Sequence, residues 1–525
     1  MGMSTTVRDV VVAQLRARGM TTVFGNPGST ELPMFRDFPD DFDYVLGLQE
    51  SVVVGMADGF AQASGTAALV NLHSAAGVGH AMGNLFTAWR NRTPLVVTAG
   101  QQARSLLVGE PFLMNERATE LPRPYVKWSC EPARPQDVPA AFARAYHVAM
   151  TPPRGPVFLS IPVDDWEVPA EPGAEPRPRP VGAAARPDPD LVAGLVTALD
   201  RAVSPALVVG AEVDRDHAFA EVVALAERHR ARVWTAPLSP RCGFPEDHPL
   251  YAGFLPAARE TIRERLAGHD LVVVLGAPVF TFHVEGRGPL LPAGCVLFQV
   301  VEDPDTAAWT PEGTALVGGV RATVTEVLAA SAPPARSAPP GRPRPARLTA
   351  PAELTEAFLL QTLADERPES AIVVEEAPST RAVMQERLPF TGPETFFTCA
   401  SGGLGHGMPA AVGVALARPG QRVIALLGDG SSMYAVQALW SAAHENTPVT
   451  FVVVNNGGYA ALDGFAAHFG IDKPVGTAVT GIDYAGLARD MGCAGVTVQR
   501  PAELADALRR ALTSSGPVLL DVHVR

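Results

Sequence analysis

The sequence predicts an α/β protein built from three doubly wound parallel sheets. Short apolar runs rich in β-branched residues alternate with amphipathic stretches along the chain, the pattern of buried parallel strands joined by helices. At 525 residues the chain is too long for a single hydrophobic core. Proline-rich stretches at residues 169–189 and 331–347 interrupt the alternation and are typical of extended connectors. We therefore predict domains at residues 1–167, 190–330 and 351–525.

Strand and helix patterns recur in the same rhythm in all three domains. The first domain has helix patterns at residues 7–18, 50–63 and 137–150 and strand patterns at 22–24, 44–48, 67–72, 94–98 and 155–162. The second has strand patterns at 206–210, 232–234, 271–276 and 295–301. The third has strand patterns at 371–374, 422–427, 449–454 and 518–524, and a helix pattern at 433–444. Each domain is thus predicted to hold its own sheet.

Charge and cysteine content exclude several classes of function. The net charge of −13 and the pI near 5.4 argue against nucleic acid or an anionic membrane as a partner. The five cysteines form no CxxC pair, so neither a zinc site nor a disulfide framework is indicated, and a reduced, cytoplasmic location is expected. The N-terminus shows no basic segment followed by an apolar stretch, and no run of 18 apolar residues occurs, so we expect neither secretion nor membrane spanning. The first six residues match a myristoylation pattern, but an ordinary amphipathic helix follows from Thr5, so we do not predict the modification.

The most informative stretch joins a Gly-Asp-Gly-Ser turn at residues 428–431 to an Asn-Asn-Gly-Gly-Tyr segment at residues 455–459. Each follows a predicted buried strand. A turn from a parallel strand into a helix aims backbone N–H groups and the positive helix end at an anion. The Asp429 carboxylate, the Asn456 amide and a backbone carbonyl near Gly458 are hard oxygen donors of the kind that Mg²⁺ prefers. Alone, the Gly-Asp-Gly turn would be an ordinary connection, but together the two segments predict a diphosphate and Mg²⁺ site.

Glu50 follows a predicted strand directly and begins the next helix. A carboxylate there can simply compensate the positive helix end, an effect of about 0.3–1 kcal/mol. The helix that follows is almost wholly apolar, however, so we expect Glu50 to be buried at an interface. A carboxyl group in such a place can share a proton with a ring nitrogen of a ligand.

Further motifs occur in a fixed order along nearly the whole chain. They lie at residues 24–33 (FGNPGSTELP), 48–50 (LQE), 71–77 (NLHSAAG), 98–102 (TAGQQ), 121–124 (LPRP), 126–128 (VKW), 276–280 (GAPVF) and 400–405 (ASGGLG). With the two segments above, they resemble the benzoylformate decarboxylase branch of the thiamine diphosphate-dependent decarboxylase and acetolactate synthase family. The resemblance implies a pyrimidine-binding N-terminal domain, a central domain, and a C-terminal domain that binds the diphosphate and Mg²⁺.

The resemblance also implies roles for single residues. Glu50 matches the glutamate that hydrogen-bonds to the aminopyrimidine of the cofactor, and Ser29 matches the serine that contacts the substrate carboxylate. His73 and His283 match the two histidines that move protons during catalysis, and Leu404 matches the residue that holds the cofactor bent. The implied metal ligands are Asp429, Asn456 and Gly458. The implied cofactor-binding residues are Glu50, Ser379, Thr380, Gly403, Leu404, Gly428, Asp429, Gly430, Ser431, Asn456, Gly458 and Tyr459.

The expected substrate pocket departs from the family pattern. Its residues are Phe112, Leu113, Thr398, Leu462 and Phe465. Asp463 and Gly464 stand where the family has a basic and a large aromatic residue, and Thr398 stands where it has an aromatic one. His406 stands where the family pattern is apolar. The departures at Asp463, Gly464 and Thr398 predict a less apolar or larger pocket, and the identity of the substrate side chain stays open.

The resemblance implies nonoxidative decarboxylation of an aryl-type 2-oxo acid to an aldehyde and CO₂. Three alternatives stay open: a carboligase of the acetolactate synthase type, a decarboxylase of a different 2-oxo acid, and a protein that binds the cofactor without turnover. Two histidines matched to proton transfer argue against the first alternative. The retained Glu50, His73, His283 and Asp429 argue against the third. The family's active sites are shared between subunits, so a homodimer or homotetramer is implied.

Overall fold

The computed structural model describes residues 5–173, 179–182, 185–333 and 335–525. The myristoylation pattern begins in residues 1–4, outside the described residues. Three six-stranded sheets, parallel throughout, occupy residues 22–162, 205–317 and 372–523. The predicted fold class, three doubly wound parallel sheets, is confirmed. Within the described ranges, no helix has the length and apolar content that a membrane span requires.

The first domain places helices on both faces of its sheet. Its strands are β1 (Thr22–Gly25), β2 (Asp43–Leu46), β3 (Ala68–Leu72), β4 (Leu95–Gln101), β5 (Ser129–Cys130) and β6 (Val157–Pro162). Its helices are α1 (Val7–Ala17), α2 (Glu50–Ser64), α3 (Ser74–Arg90) and α4 (Val138–Met150). The strand order is β2-β1-β3-β4-β6-β5. The order reverses between β1 and β3, so the loops after these two strands border a crevice of the kind that binds ligands.

The central domain has a different strand order. Its strands are β7 (Pro205–Val209), β8 (Arg232–Thr235), β9 (Tyr251–Phe254), β10 (Leu271–Leu275), β11 (Val296–Val301) and β12 (Thr314–Val317). Its helices are α5 (Pro189–Arg201), α6 (Ala211–Arg215), α7 (Phe219–His229), α8 (Arg259–Arg265), α9 (Pro304–Ala307) and α10 (Val320–Ala330). The order is β12-β11-β10-β7-β8-β9, with the reversal between β7 and β10.

The third domain repeats the strand order of the first. Its strands are β13 (Ile372–Glu376), β14 (Phe396–Thr398), β15 (Val423–Gly428), β16 (Val449–Asn455), β17 (Ala494–Val498) and β18 (Val518–His523). Its helices are α11 (Glu356–Glu366), α12 (Arg381–Arg387), α13 (Gly407–Ala417), α14 (Asp429–Ser432), α15 (Ala438–His444), α16 (Ala461–His468), α17 (Tyr484–Asp490) and α18 (Pro501–Thr513). The order β14-β13-β15-β16-β18-β17 places the reversal between β13 and β15, beside the Gly-Asp-Gly turn.

One predicted helix was wrong. The pattern at residues 433–444 predicted a continuous helix, but the structure has the short helix α14 and then α15 from Ala438. Between them the backbone forms turns, in which Tyr434 N donates to Ser431 O and Ala438 N donates to Ala435 O. Helical structure therefore begins within the Gly-Asp-Gly turn, at Asp429, and is interrupted before α15. The prediction had one helix that starts after the turn.

The second connector packs against the central domain. The guanidinium of Arg336 donates to the carbonyls of His229 and Leu199, and that of Arg342 lies 6.0 Å from the ring centroid of Tyr251. Residues 331–333 and 335–347 form no helix or strand, as the proline content predicted. Arginine side chains nevertheless fix this connector on the domain surface.

The first and third domains share one hydrophobic core. Phe24 and Val70 from the first sheet lie in the same buried cluster as Val374 and Val453 from the third. Helices α2 and α13 lie between the two sheets and cross closely, because glycine leaves their backbones free to touch. A Cβ at Gly413 would lie 1.8 Å from the Met56 carbonyl oxygen, and one at Gly59 would lie 2.1 Å from the Ala410 carbonyl oxygen.

Gly413→Ala is expected to lower the free energy of unfolding by about 2–3 kcal/mol, because the added methyl meets backbone that cannot rotate away. Urea-induced unfolding followed by circular dichroism measures the change. The matched control is Gly194→Ala in α5, where a Cβ would meet nothing within 4 Å. The control should be neutral or more stable by up to about 1 kcal/mol, since alanine is the better helix former. Equal stability of Gly413→Ala and the wild type would show that α2 and α13 separate at no cost.

Candidate active site

The Gly-Asp-Gly turn and the Asn motif meet at the carboxyl edge of the third sheet. Strands β15 and β16 are neighbours, with Gly428 opposite Val454, so the residues that follow them converge. Asp429 Oδ2 accepts hydrogen bonds from the N–H groups of Gly457 at 2.7 Å and Gly458 at 3.0 Å. Asn456 Oδ1 accepts from Gly458 N at 3.2 Å. The side-chain oxygens of Asp429 and Asn456 thus lie around the same backbone segment.

Glycine avoids close contacts at two positions of this site. A Cβ at Gly430 would lie 2.3 Å from the Tyr459 ring, and one at Gly458 would lie 2.4 Å from the Thr477 carbonyl oxygen. Burial raises the pKa of Asp429, while the N–H groups of Gly430, Gly457 and Gly458 oppose the rise. The carboxylate is therefore held by backbone donors in a place that is 2% exposed. Ser431 is buried beside it in the first turn of α14.

Two further predicted cofactor residues have different surroundings. The Ser379 hydroxyl accepts a hydrogen bond from Ala461 N at 3.0 Å, so it lies at the start of α16, next to the Asn motif. The Thr380 hydroxyl donates to Glu356 at 3.0 Å and is 1% exposed. Ser379 therefore lies at the site, whereas the Thr380 side chain is buried inside the third domain.

His283 and Phe465 come together from different domains. His283 lies in the loop after β10, where its backbone N–H donates to Ala257 O at 2.8 Å. Its ring lies 4.6 Å from the ring of Phe465 in α16, measured between centroids. Leu462, one turn earlier on α16, is 46% exposed. We call Ser379, Asp429, Asn456, Gly458 and Tyr459, with His283, Leu462 and Phe465, the C-terminal half-site.

Glu50 lies at the carboxyl edge of the first sheet. It is the first residue of α2, which Gln49 caps by accepting from the N–H groups of Ser51 and Val52. Glu50 Oε2 lies 3.0 Å from His80 Nδ1, and its side chain is 15% exposed. Gly77 faces Glu50 closely, since a Cβ there would lie 3.1 Å from Oε1. Both Gly77 and His80 belong to α3, the helix that begins after His73.

His73 is oriented by a buried carboxylate, that of Glu31. Its Nδ1 lies 2.8 Å from Glu31 Oε2, and because an ionised carboxylate only accepts hydrogen bonds, Nδ1 carries the proton. Nε2 is then the free nitrogen. Glu31 is 1% exposed, and its oxygens also accept from Gly28 N at 2.8 Å, Gly100 N at 2.8 Å and the Thr30 hydroxyl at 2.7 Å.

Three other predicted residues lie on the exposed rim of this region. Ser29 is exposed and follows Gly28, where a Cβ would lie 2.1 Å from His73 Nδ1. Phe112 is 87% exposed, and its carbonyl accepts from Gln102 Nε2 at 2.8 Å. Leu113 follows with a positive φ of 64°. We call Ser29, Glu31, Glu50, His73 and His80 the N-terminal half-site.

Thr398 does not present its side chain to a pocket. It is 2% exposed in β14, where its hydroxyl donates to Glu375 at 2.9 Å and accepts from Arg381 at 3.0 Å. Arg381 and Glu375 also form a direct ion pair at 2.6 Å. This network satisfies the hydroxyl inside the domain, in contrast to the expected role as a pocket wall.

Sequence reasoning missed Glu31 and His80. Glu31 lies in the quoted FGNPGSTELP motif, but its use depends on the pairing of β1 with β3, which brings His73 beside it. The only sequence signal was an acidic residue between turn-forming residues. His80 is one of 12 histidines, and the available signal was its place seven residues after His73, on the helix that follows His73.

The donors at the C-terminal half-site suit a magnesium diphosphate. A carboxylate, an amide oxygen and nearby backbone carbonyls are hard oxygen ligands, and glycines keep the turn clear of side chains. Fold and site together define an enzyme that holds a diphosphate cofactor where parallel strands end.

Three family models match the chain and give the cofactor a name. All three describe domains of thiamine pyrophosphate (TPP) enzymes. The N-terminal TPP binding domain matches residues 5–118, the central domain matches residues 192–327, and the C-terminal TPP binding domain matches residues 379–522. Thiamine pyrophosphate is another name for thiamine diphosphate. The chain belongs to the thiamine pyrophosphate enzymes, and the predicted family is confirmed.

Among the relatives compared, the chain is more similar in sequence to decarboxylases of benzoylformate type than to an acetolactate synthase. The chain is 46% identical to benzoylformate decarboxylase from Pseudomonas aeruginosa over 98% of each chain. It is 43% identical to the 4-hydroxybenzoylformate decarboxylase of Rhodococcus jostii RHA1, with a TM-score of 0.95 over 99% of each chain. An acetolactate synthase from Arthrospira platensis is more distant, at 27% identity over 98% of this chain and 93% of its own.

Glu31→Gln is expected to change the tautomer of His73. A glutamine has one acceptor oxygen, so its NH₂ must face either Gly100 N–H or the side shared by Gly28 N–H and His73 Nδ1. We expect His73 to populate the Nε2–H tautomer, observed by ¹⁵N NMR of histidine-labelled protein. The matched control is Glu227→Gln, which alters an exposed contact, 3.4 Å between Glu227 Oε1 and His248 Nε2. Unchanged His73 resonances in Glu31→Gln would mean that Glu31 does not set the tautomer.

Proposed function

We propose that this protein catalyses the nonoxidative decarboxylation of an aryl-type 2-oxo acid to an aldehyde and CO₂. The observation that carries the proposal is the 46% identity to a benzoylformate decarboxylase over 98% of each chain, in a chain that retains Glu50, His73, His283 and Asp429, the residues to which the resemblance assigns catalysis and cofactor binding. Thiamine diphosphate, when bound, accepts the electron pair that is released as CO₂ leaves. The protein positions the reactants, holds protons and excludes water.

Each half-site contributes a separate task. Glu50 donates or accepts a proton at the aminopyrimidine ring of the cofactor, and Ser29 binds the carboxylate of the substrate. His73, held by Glu31 with its Nε2 free, exchanges protons with the reacting carbonyl oxygen and carbon. His283 acts from the opposite side, beside the ring of Phe465. Leu462 and Phe465 then contact the aryl side chain.

Magnesium is the metal we propose for the C-terminal half-site. Asp429, Asn456 and the backbone carbonyl of Gly458 would bind it, with the diphosphate oxygens completing the shell. The short hydrogen bonds from Gly457 and Gly458 to Asp429 support this assignment, because they hold the carboxylate in place. The free cysteines of the described residues accord with the proposed cytoplasmic location.

The active site is proposed to form between two copies of the chain, in a homodimer or homotetramer. Glu50 and Asp429 lie in different half-sites, and each half-site has apolar side chains exposed nearby in sequence. Val108 is 98% exposed and Phe112 is 87% exposed, while Val475 is 94% exposed and Phe469 is 69% exposed. Several large exposed apolar side chains in one region are typical of protein–protein interaction surfaces.

Turnover of a panel of 2-oxo acids, with thiamine diphosphate and Mg²⁺, tests the reaction. The panel holds benzoylformate, 4-hydroxybenzoylformate, phenylpyruvate, a branched aliphatic acid and pyruvate, and CO₂ and aldehyde are measured separately. We expect aldehyde to match CO₂ for an aryl acid. CO₂ release without aldehyde would indicate that the protein is a carboligase and not a simple decarboxylase. No CO₂ from any acid, with the cofactor bound, would overturn the proposal.

Mixing two inactive variants tests the shared site. Glu50→Ala lacks a working N-terminal half-site and Asp429→Ala lacks a working C-terminal one. If sites form between chains, mixed dimers contain one intact site, and an equimolar exchanged mixture should regain about a quarter of the wild-type activity by random pairing. Each variant incubated alone is the control. No recovered activity after proven subunit exchange would show that each site belongs to one chain.

A further inference from the structure

Two glutamate–histidine pairs lie along α3 in the N-terminal half-site. In the first pair, His73 Nδ1 lies 2.8 Å from Glu31 Oε2, just before the helix begins. In the second pair, His80 Nδ1 lies 3.0 Å from Glu50 Oε2, in the second turn of the helix. The two histidines are two helical turns apart, so they lie on the same side of α3. Both pairs therefore belong to one half-site of one chain.

Glu50 is held against α3 by two contacts. Its Oε2 is bonded to His80, and its Oε1 faces Gly77, where a Cβ would lie 3.1 Å from that oxygen and 3.3 Å from Glu50 Cγ. Because Gly77 has no side chain, the carboxyl group can occupy this space. Within the described residues, His80 is the only side chain that hydrogen-bonds to Glu50. The orientation of the carboxyl group therefore depends on His80.

The two pairs share a geometry but differ in which member acts. An ionised carboxylate only accepts hydrogen bonds, so Nδ1 of His80 carries the proton when Glu50 is ionised, as Nδ1 of His73 does beside Glu31. In both pairs the carboxylate is the more buried member. The proposed function uses the histidine of the first pair and the glutamate of the second. In the second pair, the histidine is thus the group that orients its partner.

We propose that His80 is a positioning residue for Glu50. Its Nδ1–H donates to Oε2 and keeps the carboxyl group in one rotamer, ready for the aminopyrimidine ring of the cofactor. His80 acts through Glu50 and transfers no proton to the substrate. The inference rests on the proposed function, because that function gives Glu50 its contact with the cofactor.

A contribution to stability explains the second pair poorly. The side chain of His80 is 62% exposed in the chain, and a bond between a carboxylate and an exposed partner adds little to folding, because water screens the charges. A restriction of Glu50 has a larger effect. A glutamate side chain has three rotatable bonds and many rotamers, and a displacement of about 1 Å in a reacting group can cost about 100-fold in rate.

The pair acts within one site even though each active site is proposed to form between two chains. Glu50 is the first residue of α2, and Gly77 and His80 belong to α3 of the same domain. One chain therefore supplies all three residues to the same site. Association with a partner brings the other half-site to Glu50, whereas the bond to His80 is already formed within the chain.

The test compares His80→Leu, which removes the donor, with His80→Asn, whose side-chain NH₂ can take the place of Nδ1–H. The first readout is exchange of the cofactor C2 proton for deuterium in the holoenzyme, which requires no 2-oxo acid. The second is kcat and KM for the acid that the panel identifies. His248→Leu is the matched control, because His248 also contacts a glutamate outside both half-sites, with 3.4 Å between its Nε2 and Glu227 Oε1.

We expect His80→Leu to slow C2 exchange and kcat on the order of 10- to 100-fold, with KM changed by less than about threefold. His80→Asn should keep both rates within about threefold of the wild type, and His248→Leu should leave them unchanged. Wild-type exchange in His80→Leu, or an equal loss in His248→Leu, would overturn the proposal. An equally slow His80→Asn would overturn it too, because a donor at this place would then not suffice.

A readout without the cofactor tests the bond itself. In ¹⁵N NMR of histidine-labelled, cofactor-free protein, at a pH where the ring is neutral, His80 should be the Nδ1–H tautomer. Glu50→Leu should reduce the population of that tautomer. An Nε2–H tautomer in the wild type would contradict the proposal whatever the activity. Wild-type C2 exchange without CO₂ release from any acid would instead overturn the proposed function and leave the comparison of the His80 variants valid.

Discussion

The close crossing of α2 and α13 is the constraint on which the two half-sites of a chain depend. Each helix begins at a functional loop, α2 at Glu50 and α13 directly after the Leu404 loop. Because glycines let the two backbones touch, the crossing fixes the two helices along and across each other with little freedom. The positions of the helix ends, and of the two loops that precede them, are therefore fixed as well. A bulkier crossing would leave the same side chains present but displaced, which is enough to impair catalysis.

The sequence predicted the central strands of the three sheets far better than the edge strands. Strands such as β10 and β16 are covered on both faces and appear as unbroken apolar runs, so their pattern alone identifies them. The strands it missed, β5, β9, β12, β14 and β17, are all at sheet edges. An edge strand is short and partly solvated, as Ala494–Val498 shows with most of its residues exposed. Such a strand forms because a neighbour offers hydrogen bonds, and that information lies elsewhere in the chain.

The same distinction separates the parts of the site. Asp429 and Asn456 could be predicted together because each follows a buried strand, and consecutive strands tend to be neighbours. Glu31 and its partner His73 are 42 residues apart. No local pattern marks this pair, since a buried carboxylate and its partner are recognised only when the fold brings them into contact. The groups that orient the chemistry were therefore less visible than the groups that perform it.

The arrangement also separates chemistry from the choice of substrate. His73 with Glu31, and Asp429 with its backbone donors, are held at the ends of central strands, where packing leaves little room for change. Leu462 and Phe112 lie instead on exposed segments outside the sheets, where substitutions disturb few contacts. Asp463 and Gly464 can depart from the family pattern at α16 for this reason, while Asp429 cannot. Differences in the 2-oxo acid side chain should therefore be sought in α16 and in the segment after β4, with the proton-transferring groups unchanged.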